Sequence, residues 1–384
     1  MNRRSVLLLL LAVGGLLALG IVMLASTGEF SQDAHGRPHF FVYHQLMWMG
    51  VGVGLCLVLS RVDYHFWVNK WPYIYGISLV LLICCFIPHI GAKINGSRRW
   101  IRLAAFTFQP SELAKFATVC LLSWWYSQED RVEREFIRGF IVPLGCVALL
   151  MFWTVIEVDV GSTSLIGATA IIMAFIAGSR WRYVLSVCTM GVLGIASAIA
   201  FLPERTGRFL AFLHPEKYPA DAYQTQQGLI ALGSGGITGL GLGNGRQKLL
   251  YLPFAHTDFI FPVIGEELGL AGTLGVVFAY LVFILAGMSI AVKARDRAGL
   301  LMGMGMVLLI AMQAAVNLGV TTELLPNKGL PLPFISYGGS NLAFCLASVG
   351  VLLNIYRQGV SEQEEQHMEQ MEMALQAQNK VVRL

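Results

Sequence analysis

Three segments of this chain place carboxylates at the ends of long apolar runs. Glu112 lies near the start of one run, and Glu157 and Asp159 end a second. Asp258 precedes a third run, in the string LPFAHTDFIFPVIGEELG. Ionisable groups at membrane depth are costly, so they usually face a cavity or one another. Three separate segments thus bring carboxylates to one membrane face, where a carboxylate within hydrogen-bond reach of a hydroxyl group can accept its proton.

A compact basic cluster lies between two of these segments. The sequence there is GAKINGSRRWIRLAAFTFQ, which holds Lys93, Arg98, Arg99 and Arg102. Clustered Lys and Arg side chains attract anionic groups, and Arg binds phosphate with a matched geometry. An anionic ligand is the simplest explanation of this cluster. Interaction with outer-leaflet phospholipid headgroups is the alternative.

The string QPSELAK opens one of the apolar runs. Pro110 suits the first turn of a helix, because its missing N–H would be unpaired there in any case. Glu112 and Lys115 are three positions apart and therefore share a helix face. They either face a ligand cavity or form a purely structural ion pair.

The composition shows what must position these residues. Of 384 residues, 56% are hydrophobic and 13% are charged, and the mean hydropathy is +0.64. A soluble domain carries about 25% charged residues, so a soluble multidomain protein is excluded. The apolar runs are about 18 to 22 residues long, which is the length of a transmembrane helix. The formal charge of +4 is too small to suggest a nucleic-acid partner.

We predict an all-α polytopic membrane protein with about ten transmembrane helices and a large extracytoplasmic loop between spans seven and eight. The predicted spans are roughly 5–26, 40–60, 73–90, 110–127, 139–157, 163–179, 183–203, 259–292, 298–322 and 336–356. The first is too long for a signal peptide and is predicted to be retained. The eighth carries Glu266 and Glu267, which would lie above the hydrocarbon region or line an aqueous cavity.

Lys and Arg in alternate short connections predict the orientation, because such residues stay in the cytoplasm. They are Arg3 and Arg4, Arg61 and Lys70, Arg131, Arg134 and Arg138, Arg180 and Arg182, and Lys293, Arg295 and Arg297. Both termini would then be cytoplasmic, with 91–108 and 203–257 outside. We divide the chain into a membrane domain, 1–357, and a cytoplasmic tail, 358–384. The tail is predicted to be a solvated or fraying helix, with a partner-binding helix as the alternative.

Three further features are not expected to bind metals or nucleotides. All seven cysteines lie in apolar runs without C-x-x-C spacing, which favours packing over disulfides or zinc. The glycine run at 233–245 is not followed by Lys-Ser/Thr, so we predict a flexible, close-packed loop rather than a phosphate cradle. His256 lacks a second ligand at zinc-binding spacing, so no metal site is predicted there.

Four long strings together resemble the SEDS family, which includes FtsW, RodA and SpoVE. They are NGSRRWI…QPSELAK, GLIALGSGGITGLGLGNGRQK, YLPFAHTDFIFPVIGEELG and LLPNKGLPLPFISYGGS. The strings GEELG and KLLYLP look more like division-type FtsW than elongation-type RodA. The chain departs from the usual family pattern at Val158, Phe254 and Asn341.

The resemblance implies a ten-span peptidoglycan glycosyltransferase. Such an enzyme polymerises lipid II into an undecaprenyl-diphosphate-linked glycan at the outer face of the bacterial cytoplasmic (inner) membrane. The implied partners are a class B penicillin-binding protein acting as transpeptidase and other divisome membrane proteins. A lipid II flippase, an elongation-type RodA polymerase and an inactive divisome scaffold are the alternative functions.

The resemblance also assigns candidate roles to individual residues. Asp258, in the AHTDF motif, matches the family's essential catalytic residue and would be the general base; the alternative is that it only caps the eighth helix. The predicted substrate-binding residues are Arg98, Arg99, Trp100, Arg102, Glu112, Lys115, Asp159, Lys248, His256 and Lys328. Cationic members of this set would meet the charge on the leaving diphosphate. A divalent cation such as Mg²⁺ or Mn²⁺ could share that task, although the sequence shows no dedicated ligand set.

Overall fold

A computed structural model describes residues 3–28, 39–94, 97–103, 106–128, 136–189, 191, 203–249 and 251–382. Within these ranges, six helices are long and apolar enough to cross a membrane: Arg3–Thr27, Phe40–Arg61, Ile137–Ile156, Ile260–Ala291, Arg297–Thr321 and Gly339–Val360. Two shorter apolar helices are Trp71–Cys84 and Val160–Ile176. The predicted polytopic helical membrane protein is confirmed, and the count of ten spans stays a prediction.

The helices of the first half begin at residues that suit a helix start. They are α1 (Arg3–Gly28), α2 (Phe40–Arg61), α3 (Tyr64–Asn69), α4 (Trp71–Cys84), α5 (Pro110–Ser127), α6 (Val142–Ile156) and α7 (Val160–Ile176). A proline lies in the first turn of α4, α5 and α6. Asp63 and Asp159 cap α3 and α7 by accepting hydrogen bonds from backbone N–H groups. A π-helical turn, Ile137–Ile141, leads into α6.

The second half contains α8 (Pro203–Leu213), α9 (Pro219–Gly235), α10 (Ile260–Ala291), α11 (Arg297–Thr321) and α12 (Gly339–Val382). Residues 181–189 are also helical, while most of the predicted seventh span lies outside the described residues. Arg131 and Arg134, which contributed to the predicted orientation, lie outside them as well. Helix α12 continues unbroken past the predicted domain boundary at residue 357. That boundary stays a prediction.

A small antiparallel sheet, which the sequence did not predict, lies between helices of this predominantly helical fold. Strands β1 (Gly91–Ile94), β2 (Ser97–Leu103) and β3 (Phe106–Phe108) form a sheet in that order. Ala92 pairs with Trp100, and Arg102 pairs with Thr107. The prediction treated this segment as a loop, although the Asn-Gly at 95–96 is a known hairpin signal between short strands.

The predicted long outer loop also contains regular structure, because α8 and α9 lie within it. The glycine run that follows α9 packs directly on α10. A β-carbon on Gly239 would lie 2.3 Å from the backbone oxygen of Glu267, and one on Gly235 would lie 1.9 Å from that of Gly265. Helix α10 is kinked at Gly269, whose φ of 66° is left-handed. The predicted close-packed loop is therefore observed, and glycine is needed there for backbone-to-backbone contact.

Candidate functional site

Asp258 lies in a turn that leads into α10. The carbonyl of Phe254 closes this turn by accepting hydrogen bonds from the backbone N–H groups of Thr257 and Phe259, at 3.1 and 3.3 Å. The N-cap of α10 is Phe259, which makes no side-chain capping bond. Asp258 is therefore not the capping residue of this helix. Its carboxylate is left for another role.

The surroundings of the Asp258 carboxylate favour the protonated form. Burial raises its pKa, the Arg99 guanidinium lowers it, Asp159 raises it, and the result is a pKa of about 6. Gly329 is packed beside the carboxylate, because a β-carbon there would lie 2.6 Å from Asp258 Oδ2. The structure thus brings three predicted site residues, Asp258, Arg99 and Asp159, into one electrostatic neighbourhood.

Asp159 connects three elements around this neighbourhood. Its Oδ1 caps α7 through the backbone N–H of Ser162 at 3.0 Å. Its Oδ2 accepts hydrogen bonds from Gln109 Nε2 at 2.7 Å and Ser111 Oγ at 3.1 Å, at the start of α5. Arg99 Nη1 on β2 lies 3.9 Å from Oδ1. Asp159 therefore joins the starts of α5 and α7, and its negative charge lies close to the Arg99 guanidinium.

The turn before Asp159 is unusual in two respects. Glu157 is 1% exposed, and its carboxylate lies beside the buried thiol of Cys85. Val158 has a φ of 66°, which is strained for a β-branched residue. The departure noted at Val158 therefore lies at a residue with left-handed backbone conformation.

Strand β2 divides the predicted basic cluster by exposure. The pairing register skips Arg99, because Ala92 pairs with Trp100 and Lys93 pairs with Arg98, so Arg99 lies at a bulge of the strand. Arg98 and Arg102 are exposed. Arg99 is 29% exposed, and its Nε is buried without a hydrogen bond to a described residue. Of the three arginines, only Arg99 is directed at Asp159 with donor capacity to spare.

Glu112 and Lys115 form the ion pair that their spacing predicted, with Lys115 Nζ 2.7 Å from Glu112 Oε2. Gln313 Oε1 accepts from Lys115 Nζ at 3.0 Å. Asn341 Nδ2 donates to Glu112 Oε1 at 3.2 Å. Lys115 also lies over the ring of Phe344. This buried network joins α5, α11 and α12, which supports the structural alternative, and the predicted contact of the pair with substrate stays a prediction.

Lys248 is held in a second buried ion pair. Its Nζ lies 2.7 Å from Glu267 Oε1, and both side chains are at most 1% exposed. Ser26 Oγ and the Gly243 carbonyl also accept hydrogen bonds from Lys248 Nζ, at 2.7 and 2.8 Å. Glu266 accepts from backbone N–H groups of the same loop. The two glutamates therefore anchor the glycine run to α10 instead of lining an aqueous cavity, and the predicted contact of Lys248 with substrate stays a prediction.

The last two predicted binding residues lie on either side of the Asp258 turn. His256 is buried, and its ring stacks on Phe41 with centroids 4.2 Å apart. Lys328 is partly exposed beside Gly329, with Nζ 3.4 Å from Ser164 Oγ. Neither placement tests a contact with substrate.

The sequence analysis missed several residues that build the site. Gln109 and Ser111 lie within the QPSELAK string, and Gly329 lies within LLPNKG. Asn317 is a buried polar amide in the last turns of an apolar helix, a position that usually has a functional or structural reason. No group of three or more His, Cys, Asp or Glu side chains that could hold a metal ion occurs among the described residues. A divalent cation stays a prediction.

Comparison with known proteins gives consistent results. The FtsW/RodA/SpoVE family, described as cell cycle protein, matches residues 6–360. The chain is 39% identical to the probable peptidoglycan glycosyltransferase FtsW of Geobacter metallireducens over 92% of this chain and 95% of that protein. It is 36% identical to stage V sporulation protein E of Bacillus subtilis over 91% of this chain and 96% of that protein.

A solved structure shows the same fold. The matching chain belongs to a structure described as the structural coordination of polymerization and crosslinking by a peptidoglycan synthase complex. The TM-score is 0.77 at 27% identity, covering 91% of this chain and 97% of that one. The resemblance inferred from the four sequence strings is thus confirmed. This chain belongs to the FtsW/RodA/SpoVE family.

Proposed function

We propose that this protein is a peptidoglycan glycosyltransferase that polymerises lipid II at the outer face of the cytoplasmic membrane during cell division. The observation that supports this most directly is the Asp258 carboxylate, whose pKa lies near 6 next to Arg99 and Asp159. A general base works best when its pKa is close to the working pH. The names of the curated relatives support the same reaction.

In the proposed reaction, the 4-hydroxyl oxygen of one sugar attacks the anomeric carbon of another. The new glycosidic bond forms as the bond from that carbon to the diphosphate oxygen breaks, and the electron pair leaves with the undecaprenyl diphosphate. The Asp258 carboxylate accepts the hydroxyl proton. Arg99, whose guanidinium lies close to Asp159, donates hydrogen bonds to the charge that grows on the diphosphate.

The experiment that tests the function supplies purified protein in proteoliposomes with lipid II. Appearance of glycan polymer supports the enzyme, whereas translocation of lipid II without polymer would support the flippase alternative. An inactive scaffold would do neither. Depletion in cells distinguishes the two cellular roles, because loss of a division enzyme gives filaments and loss of an elongation enzyme gives round cells.

The proposed orientation places the Asp258 turn and the sheet outside and both termini in the cytoplasm. Single cysteines introduced into 91–108 or 203–257 should react with an impermeant maleimide on intact spheroplasts. Cysteines in 127–138 or in the tail should react only after lysis. The seven native thiols, all unpaired, would first be replaced. Labelling of the tail in intact spheroplasts would contradict this orientation.

The proposed partner is a class B penicillin-binding protein that crosslinks the new glycan, together with other divisome membrane proteins. Support comes from the similar chain in a complex where polymerization and crosslinking are coordinated. Co-purification of the full chain with each class B protein of the same cell tests this partner. Failure of all of them to bind would contradict it.

The charges around Asp258 predict opposite pH shifts in two variants. The rate of polymerisation should fall below pH about 6, because protonated Asp258 cannot act as a base. Arg99→Gln removes the charge that lowers the pKa of Asp258, so the acidic limb of kcat/KM should move to higher pH. Asp159→Asn removes the charge that raises this pKa, so the limb should move to lower pH. Shifts in the same direction in both variants would contradict Asp258 as the titrating group.

A further inference from the structure

We propose that Asn317 is the positioning residue that holds Asp258 in its working orientation. This inference rests on the proposed function, in which Asp258 is the general base. Asn317 lies on α11, 59 residues away from Asp258 in sequence, and is 3% exposed. It does not touch the reacting atoms in this scheme and acts through the backbone of Asp258.

The side-chain amide of Asn317 links the Asp258 turn to the segment that contains Gly329 and Leu330. Its Nδ2 donates one hydrogen bond to the backbone oxygen of Asp258 at 2.8 Å and another to the backbone oxygen of Leu330 at 2.7 Å. Leu330 follows Gly329, which is packed against Asp258 Oδ2. One amide group therefore fixes both the residue that carries the base and the segment that the base faces.

The orientation of this amide is set by its partners. Asn317 Oδ1 is buried and has no hydrogen bond to a described residue. Rotating the amide by half a turn would place Oδ1 against two carbonyl oxygens, which repel it. Burying Oδ1 without a hydrogen bond is unfavourable in free energy, but this orientation lets Nδ2 donate to both carbonyls.

Asn317 completes a row of three bonds along the Asp258 turn. The backbone N–H of Tyr337 donates to the His256 carbonyl at 3.0 Å, and Ser336 Oγ donates to the Thr257 carbonyl at 2.6 Å. The Asp258 carbonyl is third in the row and is held by Asn317. The turn is thus fixed by donors at consecutive positions, and the bond nearest the carboxylate comes from a side chain that can be replaced.

Loss of this bridge should reduce the rate without weakening substrate binding. A displacement of about 1 Å at a catalytic group can cost about 100-fold in rate. Asn317→Ala and the isosteric Asn317→Asp both remove the two donors. We expect kcat for lipid II polymerisation to fall about 10- to 100-fold in each, with KM changed by less than about threefold.

Asn354 provides a matched control on α12, at the predicted cytoplasmic end. It is also 3% exposed, and its Nδ2 donates to the Ser60 carbonyl at 3.0 Å while its Oδ1 accepts from the Tyr64 N–H at 3.0 Å. Asn354→Ala should lower the melting temperature about as much as Asn317→Ala does, but leave kcat unchanged. An equal loss of kcat in both variants would show that Asn317 contributes stability only.

Gly329→Ala independently perturbs the segment that faces the Asp258 carboxylate. The added methyl group would lie 2.6 Å from Asp258 Oδ2 without removing any buried bond. It should lower kcat while the melting temperature stays within a few degrees of wild type. Wild-type kcat in folded Asn317→Ala or Asn317→Asp would overturn the inference.

Combination with Asp258→Asn separates this inference from the proposed function. If Asn317 acts through Asp258, adding Asn317→Ala to Asp258→Asn should cause no further loss of rate. An active Asp258→Asn single variant would reject the proposed base itself. An inactive Asp258→Asn variant beside a fully active Asn317→Ala variant would reject only the positioning role.

Discussion

Asp258→Asn is expected to reduce lipid II polymerisation by about 100-fold or more, the usual contribution of a general base. Asparagine keeps the shape of the side chain and its hydrogen-bonding capacity but cannot accept the hydroxyl proton. The measurement is initial-rate polymerisation by the purified variant, in the presence of the transpeptidase partner. A variant that polymerises at the wild-type rate would end the claim that Asp258 is the base.

The same variant should fold at least as well as the wild type. The pKa of Asp258 is about 6 in the folded protein, above the value of about 3.9 expected in the unfolded chain. The folded state therefore binds the proton more tightly, and stability falls as pH rises from about 4 to 6. Above pH 6 the ionised carboxylate carries this cost in full, and asparagine removes it. The melting temperature of Asp258→Asn at neutral pH should equal or exceed that of the wild type, so a low rate could not be attributed to unfolding.

Local rules predicted the parts of this structure that depend on neighbouring residues. The lengths of the apolar runs indicated a polytopic membrane protein, and the spacing of Glu112 and Lys115 indicated their shared helix face. Both follow from the geometry of a single helix. The chemistry of Asp258 came from the AHTDF string, because four strings in family order identify a family more specifically than composition does.

Contacts between segments that are distant in the chain could not be predicted from the sequence. Lys248 was predicted to contact substrate. Its partner in the structure, Glu267, lies on a helix that is kinked at Gly269, and hydropathy does not predict this kink. The bridge from Asn317 to Asp258 spans 59 positions and depends on how α11 packs beside the turn. Nothing in the local pattern of either residue specifies such a partner.

The basic cluster shows the same limit at short range. Read as a loop, Arg98, Arg99 and Arg102 form one patch that could bind either a diphosphate or phospholipid headgroups. In strand β2, Arg99 lies at a bulge with Nη1 3.9 Å from Asp159 Oδ1, while Arg98 and Arg102 are exposed. The two explanations can then hold for different arginines. Diphosphate binding is assigned to Arg99, and headgroup binding suits the exposed pair.

Arg99→Gln should therefore be much more harmful than Arg98→Gln or Arg102→Gln. One charge-assisted hydrogen bond contributes roughly 1.5 to 3 kcal/mol, so loss of the Arg99 contact should lower kcat/KM for lipid II about 10- to 150-fold. The Arg98 and Arg102 variants are matched controls, because they remove the same charge from exposed positions of the same strand. In detergent, where phospholipid headgroups are diluted, their kcat/KM should stay within about threefold of the wild type.

Arg99→Lys distinguishes charge from geometry at this position. A lysine keeps the positive charge but cannot form the paired hydrogen bonds of a guanidinium. If charge alone stabilises the leaving diphosphate, Arg99→Lys should recover most of the activity lost in Arg99→Gln. If Arg99 must bond two phosphate oxygens at once, the lysine variant should remain nearly as impaired as the glutamine variant. Equal activities in Arg99→Gln, Arg98→Gln and Arg102→Gln would contradict the assignment of the diphosphate to Arg99, because the three arginines would then contribute equally to lipid II use.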